Sequence, residues 1–314
     1  MPKQQPPTDK RQFSFIVLTY NEEQHLPRLL ESIAPLQAPV FVLDSGSADG
    51  TLGIAQKYGA ITTHHNFVNH PRQWDFALRH FPVATPWTIG LDADQIVTAE
   101  LLALLQNFSD DAVPAHVNGI YFNRKNYFKG RWIKHGGYFP KYLLKMFRTG
   151  VGHSDLNQNM DHRFVVPGGT IVWKTGYLLE ENLKENDIEF WIAKHNRYST
   201  LQAREEIERK IGLKKQATDA KMNGNPDQKT AWLKAIWWKA PLFLRPFVYF
   251  IWRYFFKLGF LDGKQGLIFH FLQAFWYRLV IDIKMDEIQN KKAAHPSMSS
   301  PMTHKSTKDV HTRH

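Results

Sequence analysis

Short apolar runs alternate with amphipathic segments through the first hundred residues. Phe13 to Leu18 is a run of the kind that fills the centre of a parallel sheet. Asn21 follows as a helix cap with Gln24 three residues on, and Leu26, Leu29, Leu30 and Ile33 then recur at i, i+3, i+4 and i+7. The pattern repeats as a strand over Val40 to Leu43, a turn-rich loop from Asp44 to Gly50, and a short helix from Thr51 to Tyr58. A strand at Ala60 to Thr63 and a helix from Pro71 to His80, with proline in its first turn, come next. Trp87 to Leu91 then runs straight into Asp92 and Asp94, and Thr98 with Glu100 reads as the cap and first-turn acid of another helix. Such alternation predicts an α/β domain, a Rossmann-like and mostly parallel sheet flanked by helices. Ligands of these sheets bind beyond the carboxyl ends of the strands, where Asn21, Asp44, Asp49, Asp92 and Asp94 all fall.

After Leu105 the texture changes. Strand-like segments at Gly119 to Phe122 and Tyr142 to Phe147 are joined by a loop rich in glycine and aromatics. A long helical pattern over 184–210 sets Ile188, Trp191, Ile192 and His195 on one face. The polar stretch 211–230, with Gly224, Asn225 and Pro226, reads as a linker. From Trp232 to Ile281 there are seven Lys or Arg against a single acid, Asp262. Phe247, Phe250, Ile251, Tyr254, Phe255 and Leu258 make a helical stripe, with Arg253 and Lys257 together off it. No uncharged run reaches the roughly 20 residues of a spanning helix. Amphipathic helices lying on an acidic membrane surface are therefore expected over 231–290, against the alternative of a small helical core. Residues 1–12 read as a disordered lead-in, 13–210 as the main domain and 291–314 as a disordered tail.

Charge narrows the partners. Forty Lys and Arg against 29 Asp and Glu leave +11, so an anionic partner is expected: nucleic acid, acidic lipid or a phosphorylated substrate. Nucleic acid is disfavoured, because base-stacking aromatics should line a sheet or groove and here they follow a helical stripe. There is no cysteine, which excludes disulfides and thiolate metal sites, and the first residues contain no apolar run of the signal-peptide kind. A cytoplasmic protein, peripheral on the inner face of the membrane, is the expectation.

The candidate chemistry centres on Asp92 and Asp94. Residues i and i+2 of an extended chain point the same way, so both carboxylates can reach one divalent cation or one cluster of sugar-phosphate hydroxyls. The alternative is that they cap the following helix. His64 and His65 are neighbours on a strand and point apart, so with His70 they are assigned a loop role.

Three motifs carry a resemblance: Val17 to Glu22, Leu43 to Thr51, and Leu91 to Asp94. Together they resemble the nucleotide-sugar domain of family 2 glycosyltransferases, the inverting GT-A type. Arg124 to Arg131, His135 to Pro140, Lys145 to Phe147 and Lys194 to Ser199 are similar to the lipopolysaccharide-core and exopolysaccharide members. The resemblance implies a nucleotide-sugar donor, usually a UDP-sugar, Mg2+ or Mn2+, and a glycolipid or polysaccharide acceptor. It puts Thr19, Asn21, Glu22 and Asp44 around base and ribose, with Asp49 in the same loop set. Asp92 would face the ribose, and Asp94 with Asp92 the metal-bridged diphosphate. Arg124, Arg131, Lys134 or His135 would assist the leaving group, and Gln73 and Trp74 would border the sugar. Where relatives carry a His-Glu pair this chain has Met160 and Asp161, so Asp161 is the candidate base with Glu180 or Glu181 as fallback. An inactive membrane scaffold with the same fold is the rival reading.

Overall fold

The structure is a computed structural model that describes residues 11–157, 162–214 and 218–294. Its centre is one mixed sheet. Strands β1 (Phe13–Thr19), β2 (Val40–Asp44), β3 (Ile61–His64) and β4 (Trp87–Asp92) are parallel in the spatial order β3-β2-β1-β4, as the alternation predicts. Beside β4 the sheet continues through β8 (Tyr142–Arg148), β6 (Val117–Phe128), β11 (Gly169–Glu180) and β5 (Gln95–Val97). β8 and β5 run antiparallel to their neighbours, while β11 returns parallel to β6. The expected α/β class holds, with parallel pairing concentrated in the first half.

Helices cover both faces for a reason visible in β1. Successive side chains of a strand point to opposite faces. Phe15 and Val17 accordingly pack with Leu26, Leu29, Leu30 and Ile33 of α1 (Leu26–Ile33), and Ile16 packs on the other side with Trp74 and Ala77 of α3 (His70–His80). Both faces being buried, the strand reads as a continuous apolar run. Helices α2 (Thr51–Lys57) and α4 (Ala99–Gln106) complete the βα crossings, α4 capped by Thr98, whose hydroxyl accepts from Leu101 N at 3.4 Å.

Several expectations change. Asn21 does not cap α1: it sits at φ 55°, and its side chain accepts from Ala48 N at 2.8 Å, joining two loops instead. Strand β11, twelve residues long, is hidden in the sequence because Pro167 and the glycines after it, Gly168 and Gly169, read as loop. A short hairpin strand β7 (Arg131–Trp132) lies against β6, and β9 (His153–Ser154) pairs with β10 (Phe164–Val165) apart from the main sheet.

The C-terminal half is helical. The helix expected over 184–210 begins as a short 3-10 turn, Leu183–Asn186, and becomes α5 (Ile188–Lys210) behind the Asp187 cap. Its inner face carries Trp191 and His195, but Ile188 and Ile192 are exposed. α6 (Pro226–Lys239) starts inside the stretch expected to be linker, behind an Asn225–Gln228 capping box. α7 (Arg245–Ile251), α8 (Gly263–His270) and α9 (Tyr277–Ala294) follow, with π-helical turns at Trp252–Phe256 and Phe271–Trp276. By length and composition the helix over Gly259–Lys291 could cross a membrane, which the sequence reading denied. One side of it is nevertheless built into the protein: Tyr277, Ile281 and Met285 pack on Ala203 and Ile207 of α5. Below them Arg245 is 2% exposed between Glu206, at 2.8 Å, and Asp282. The helical region is thus docked on α5 rather than tethered by a free linker.

Candidate active site

Register puts the acids in one line. Thr19 lies opposite Asp44 and Leu18 opposite Asp92, so the last residues of β1, β2 and β4 end together at one edge of the sheet. The loops leaving that edge fold over each other.

Asp44 is the hub of the first pair of loops. One carboxylate oxygen accepts from Thr19 Oγ1 at 2.9 Å and Ser47 Oγ at 2.5 Å, the other from the amides of Gly46 and Ser47, each at 2.8 Å. Buried and fully used, Asp44 shapes the loop, and no lone pair is left for a ring N–H in this arrangement. Asp49 does the same at the start of α2, accepting from Glu23 N and from the amide and hydroxyl of Thr51. Burial opposes its charge, but these donors outweigh burial and lower its pKa. Gln73 is also internal, donating to Ser45 Oγ at 2.6 Å and His65 O at 3.0 Å. His64 and His65 have separate partners, Asn66 and Gln73, consistent with their opposite directions.

Glu22 faces the cleft from the other side. Leu183 N donates to His25 Nε2 at 2.8 Å, which fixes the proton on Nδ1, 2.5 Å from Glu22 Oε2. Lys184 Nζ reaches Glu22 Oε1 at 3.1 Å and Asn21 O at 2.6 Å. The turn before α5 is thereby latched to the first loop.

Asp92 and Asp94 do not share one direction, because the chain turns after β4 instead of staying extended. Asp92 is paired to Lys145 Nζ at 2.9 Å, with His70 Nε2 3.4 Å away. Burial disfavours its charge, but Lys145 and His70 outweigh that and hold the carboxyl well below the usual range. Asp94 meets the opposite environment. Its partner is the neutral amide of Asn182 at 3.3 Å, and burial, with Glu180, Asp92 and Glu22 nearby, pushes its pKa up to about 7 against the pull of Lys194. One carboxylate is neutralised by a direct ion pair, and its neighbour has none among the described residues.

The fallback bases are engaged. Glu180 binds Arg124 Nη1 at 2.5 Å and the Gln95 amide at 2.9 Å, and Glu181 binds Arg28 at 2.6 Å. Arg124 sits inside the cleft with its Nε buried and without a hydrogen-bond partner, whereas Arg131 is exposed on β7. Lys134 is exposed, and His135 is drawn away to Asp262 at 2.7 Å. Asp161 lies outside the described residues. His162, which follows it, stacks on Trp74 with ring centroids 5.2 Å apart and stands 5.4 Å from His70.

The sequence reading missed His25, His70, His162, Lys145, Lys184 and Asn182. Only Lys145 left a signal, a lysine set between Leu144 and Met146 in an otherwise apolar strand. His25, His162, Asn182 and Lys184 act across more than 60 residues of chain, as in the Lys184–Glu22 pair, and His70 meets Asp92 only through the fold.

Residues 14–161 match the family described as glycosyl transferase family 2. Over 279 residues the chain is 28% identical to the lipopolysaccharide core biosynthesis glycosyltransferase LpsC of Rhizobium meliloti, covering 84% of this chain and 91% of that one. An uncharacterised glycosyltransferase of Rickettsia conorii is 31% identical over 88 residues, 28% of this chain and 30% of its own. Among solved structures, glucosyl-3-phosphoglycerate synthase from Mycobacterium tuberculosis with phosphoglyceric acid aligns at 18% identity and a TM-score of 0.30, over 38% of this chain and 45% of that one. With the three loop motifs gathered at one sheet edge and the matched segment spanning them, the chain is a glycosyltransferase whose residues 14–161 match glycosyl transferase family 2.

Proposed function

We propose that this glycosyltransferase moves a sugar from a nucleoside-diphosphate donor, a UDP-sugar, to a hydroxyl of a cell-envelope glycolipid or glycan, with inversion, at the inner face of the membrane. The observation that carries the reading is Asp94, a carboxylate at the strand-end cleft whose own partner is only the Asn182 amide at 3.3 Å, and whose pKa burial and the nearby Glu180, Asp92 and Glu22 push up to about 7. Mg2+ is commonly held by one or two carboxylates together with substrate phosphates rather than by a complete protein cage. Among the described residues no three His, Asp or Glu side chains form such a cage, so the donor set fits a Mg2+ or Mn2+ ion that arrives with a diphosphate. When bound, the ion would offset the charge that grows on the leaving diphosphate.

The chain's own groups have definable tasks. Asp94 would hold the cation, and Asp92, already paired to Lys145, would accept from ribose hydroxyls. Asn21 and Glu22, braced by Ala48 and Lys184, would border the nucleoside. Arg124, with its buried unpartnered Nε, would take a phosphate oxygen. The acceptor proton is assigned to Asp161, the carboxylate at the position of the relatives' His-Glu pair, since Glu180 and Glu181 are held by arginines. The relative named for lipopolysaccharide core biosynthesis supports a lipid-linked acceptor.

A donor screen reading out free nucleoside diphosphate with Mg2+ or Mn2+ tests this. Asp94→Ala should lower turnover at least about 100-fold, the size of effect seen when a group that stabilises transition-state charge is removed. Turnover that survives both chelation and this substitution would overturn the metal role. No turnover with any donor would favour the scaffold reading.

A further inference from the structure

The helical half holds two arginines without an ion-pair partner among the described residues. Arg253 reaches inward from the π-turn after α7: its Nε donates to Gly136 O at 2.6 Å, another of its nitrogens to the Tyr249 hydroxyl, and its guanidinium lies 3.8 Å over the Tyr138 ring. Arg278 of α9 faces the same place, with its guanidinium 5.8 Å from the rings of both Tyr249 and Trp237. Neither has a carboxylate within ion-pair distance among the described residues, and Arg278 makes no hydrogen bond there at all. Nε of Arg278 and Nε1 of Trp237 are both buried without a partner. Arg245, close by at 4.9 Å from the Trp237 ring, differs in being neutralised by Glu206 and Asp282.

Aromatic faces attract cations, but at 5.5–5.8 Å they leave Nε of Arg278 unmet. Buried donors without acceptors cost free energy unless an acceptor arrives. The unsatisfied groups on Arg278 and Trp237 are donors and the two arginines carry two positive charges, so the missing partner is an anion with several oxygens. Tyr249 feels the same field: burial opposes its ionisation, yet Arg253 and Arg278 lower its pKa.

The place also matters. Tyr138, under Arg253, is an electrostatic neighbour of Arg124, which binds Glu180 beside Asp94, so the cluster adjoins the transfer cleft. On the outer side of the same helical stretch Phe247, Val248, Ile251, Trp252, Phe255 and Phe256 are exposed.

We propose that Arg253 and Arg278, walled by Tyr138, Trp237 and Tyr249, bind a phosphate group carried by the acceptor. Its identification as the acceptor's phosphate rests on the glycosyl-transfer reading, while the pocket itself does not. A phosphate next to the outward apolar strip suits a membrane-anchored glycan.

The test uses the full chain and calorimetric titration with three probes: glucose 6-phosphate, phosphatidylcholine vesicles containing phosphatidic acid, and UDP with Mg2+. Saturable binding of either phosphate probe is expected, weakened about tenfold or more by Arg278→Gln, as for a lost charged hydrogen bond. Which probe binds tells a sugar phosphate from a lipid headgroup. The melting temperature of Arg278→Gln should stay level or rise, since an unpaired buried charge is removed, whereas a purely structural arginine would lower it. No saturable binding of either phosphate probe, or equal binding by the parent and Arg278→Gln, would overturn the pocket. UDP binding that fails in the parent would sink the donor reading and leave the pocket standing.

Discussion

At the scale of single residues, the two neighbouring aspartates show how environment decides chemistry. Asp92 has Lys145 at 2.9 Å and stays charged, and Asp94 has an amide and other acids around it and does not readily charge. The consequence for stability has a definite sign. With a folded-state pKa near 7 and an unfolded one near the ordinary carboxylate value of about 4, the native state holds a proton in that window that the unfolded chain has released. In chelator, thermal stability should therefore fall as pH rises from about 4 through about 7. Asp94→Asn should flatten that fall, and Mg2+ with UDP should raise the melting temperature most above pH 7, where the carboxylate is free to bind. A parallel pH profile for parent and variant in thermal melts would contradict the placement of Asp94.

Elements owe their arrangement to a few buried contacts. Helix α9 is fixed to α5 by Tyr277, Ile281 and Met285 packing on Ala203 and Ile207, and Asp282 and Glu206 enclose Arg245 beneath. Removing Asp282 leaves Arg245 with Glu206 alone and takes the acceptor from two donors in a dry site, Arg245 Nε and Phe243 N. Asp282→Ala should cost about 3 kcal/mol or more in urea denaturation. Adding Arg245→Met and Glu206→Gln to Asp282→Ala in the same chain should recover part of that loss, since no charge is then stranded. Close packing fixes the loop before β8 as well: Gly136 has φ 67°, and a Cβ there would meet His270 Cε1 at 2.0 Å. Alanine at 136 should lower the melting temperature, combining backbone strain with that clash.

For the whole molecule, the decisive feature is asymmetry. One end presents the strand-end cleft, and the helical half presents an apolar exterior that includes Phe255 at 53% and Phe256 at 69% exposure, with exposed Lys257 beside them. Such an exterior suits the boundary between headgroups and acyl chains, with lysine held by acidic lipid. Phe255→Ser with Phe256→Ser should weaken sedimentation with anionic vesicles about tenfold, from the apolar area no longer buried, and leave donor turnover in detergent unchanged. Equal sedimentation of parent and variant would remove this face from the membrane reading.

The sequence by itself determined the βα order of the first hundred residues, the acids at the strand ends and the family motifs, because each is written in local periodicity. It also gave the apolar stripe of residues 247–258 and the excess of cations around it. Only the tertiary structure decided that Asp44 is consumed by its own loop, that Asp92 and Asp94 face different partners, and that Lys145 and Lys184 enter the cleft. Strand β11 and the docking of α9 on α5 were likewise invisible locally. The physical reason is the same in each case. Periodicity reports which face of a segment avoids water, whereas the charge state of a side chain depends on neighbours brought from distant parts of the chain.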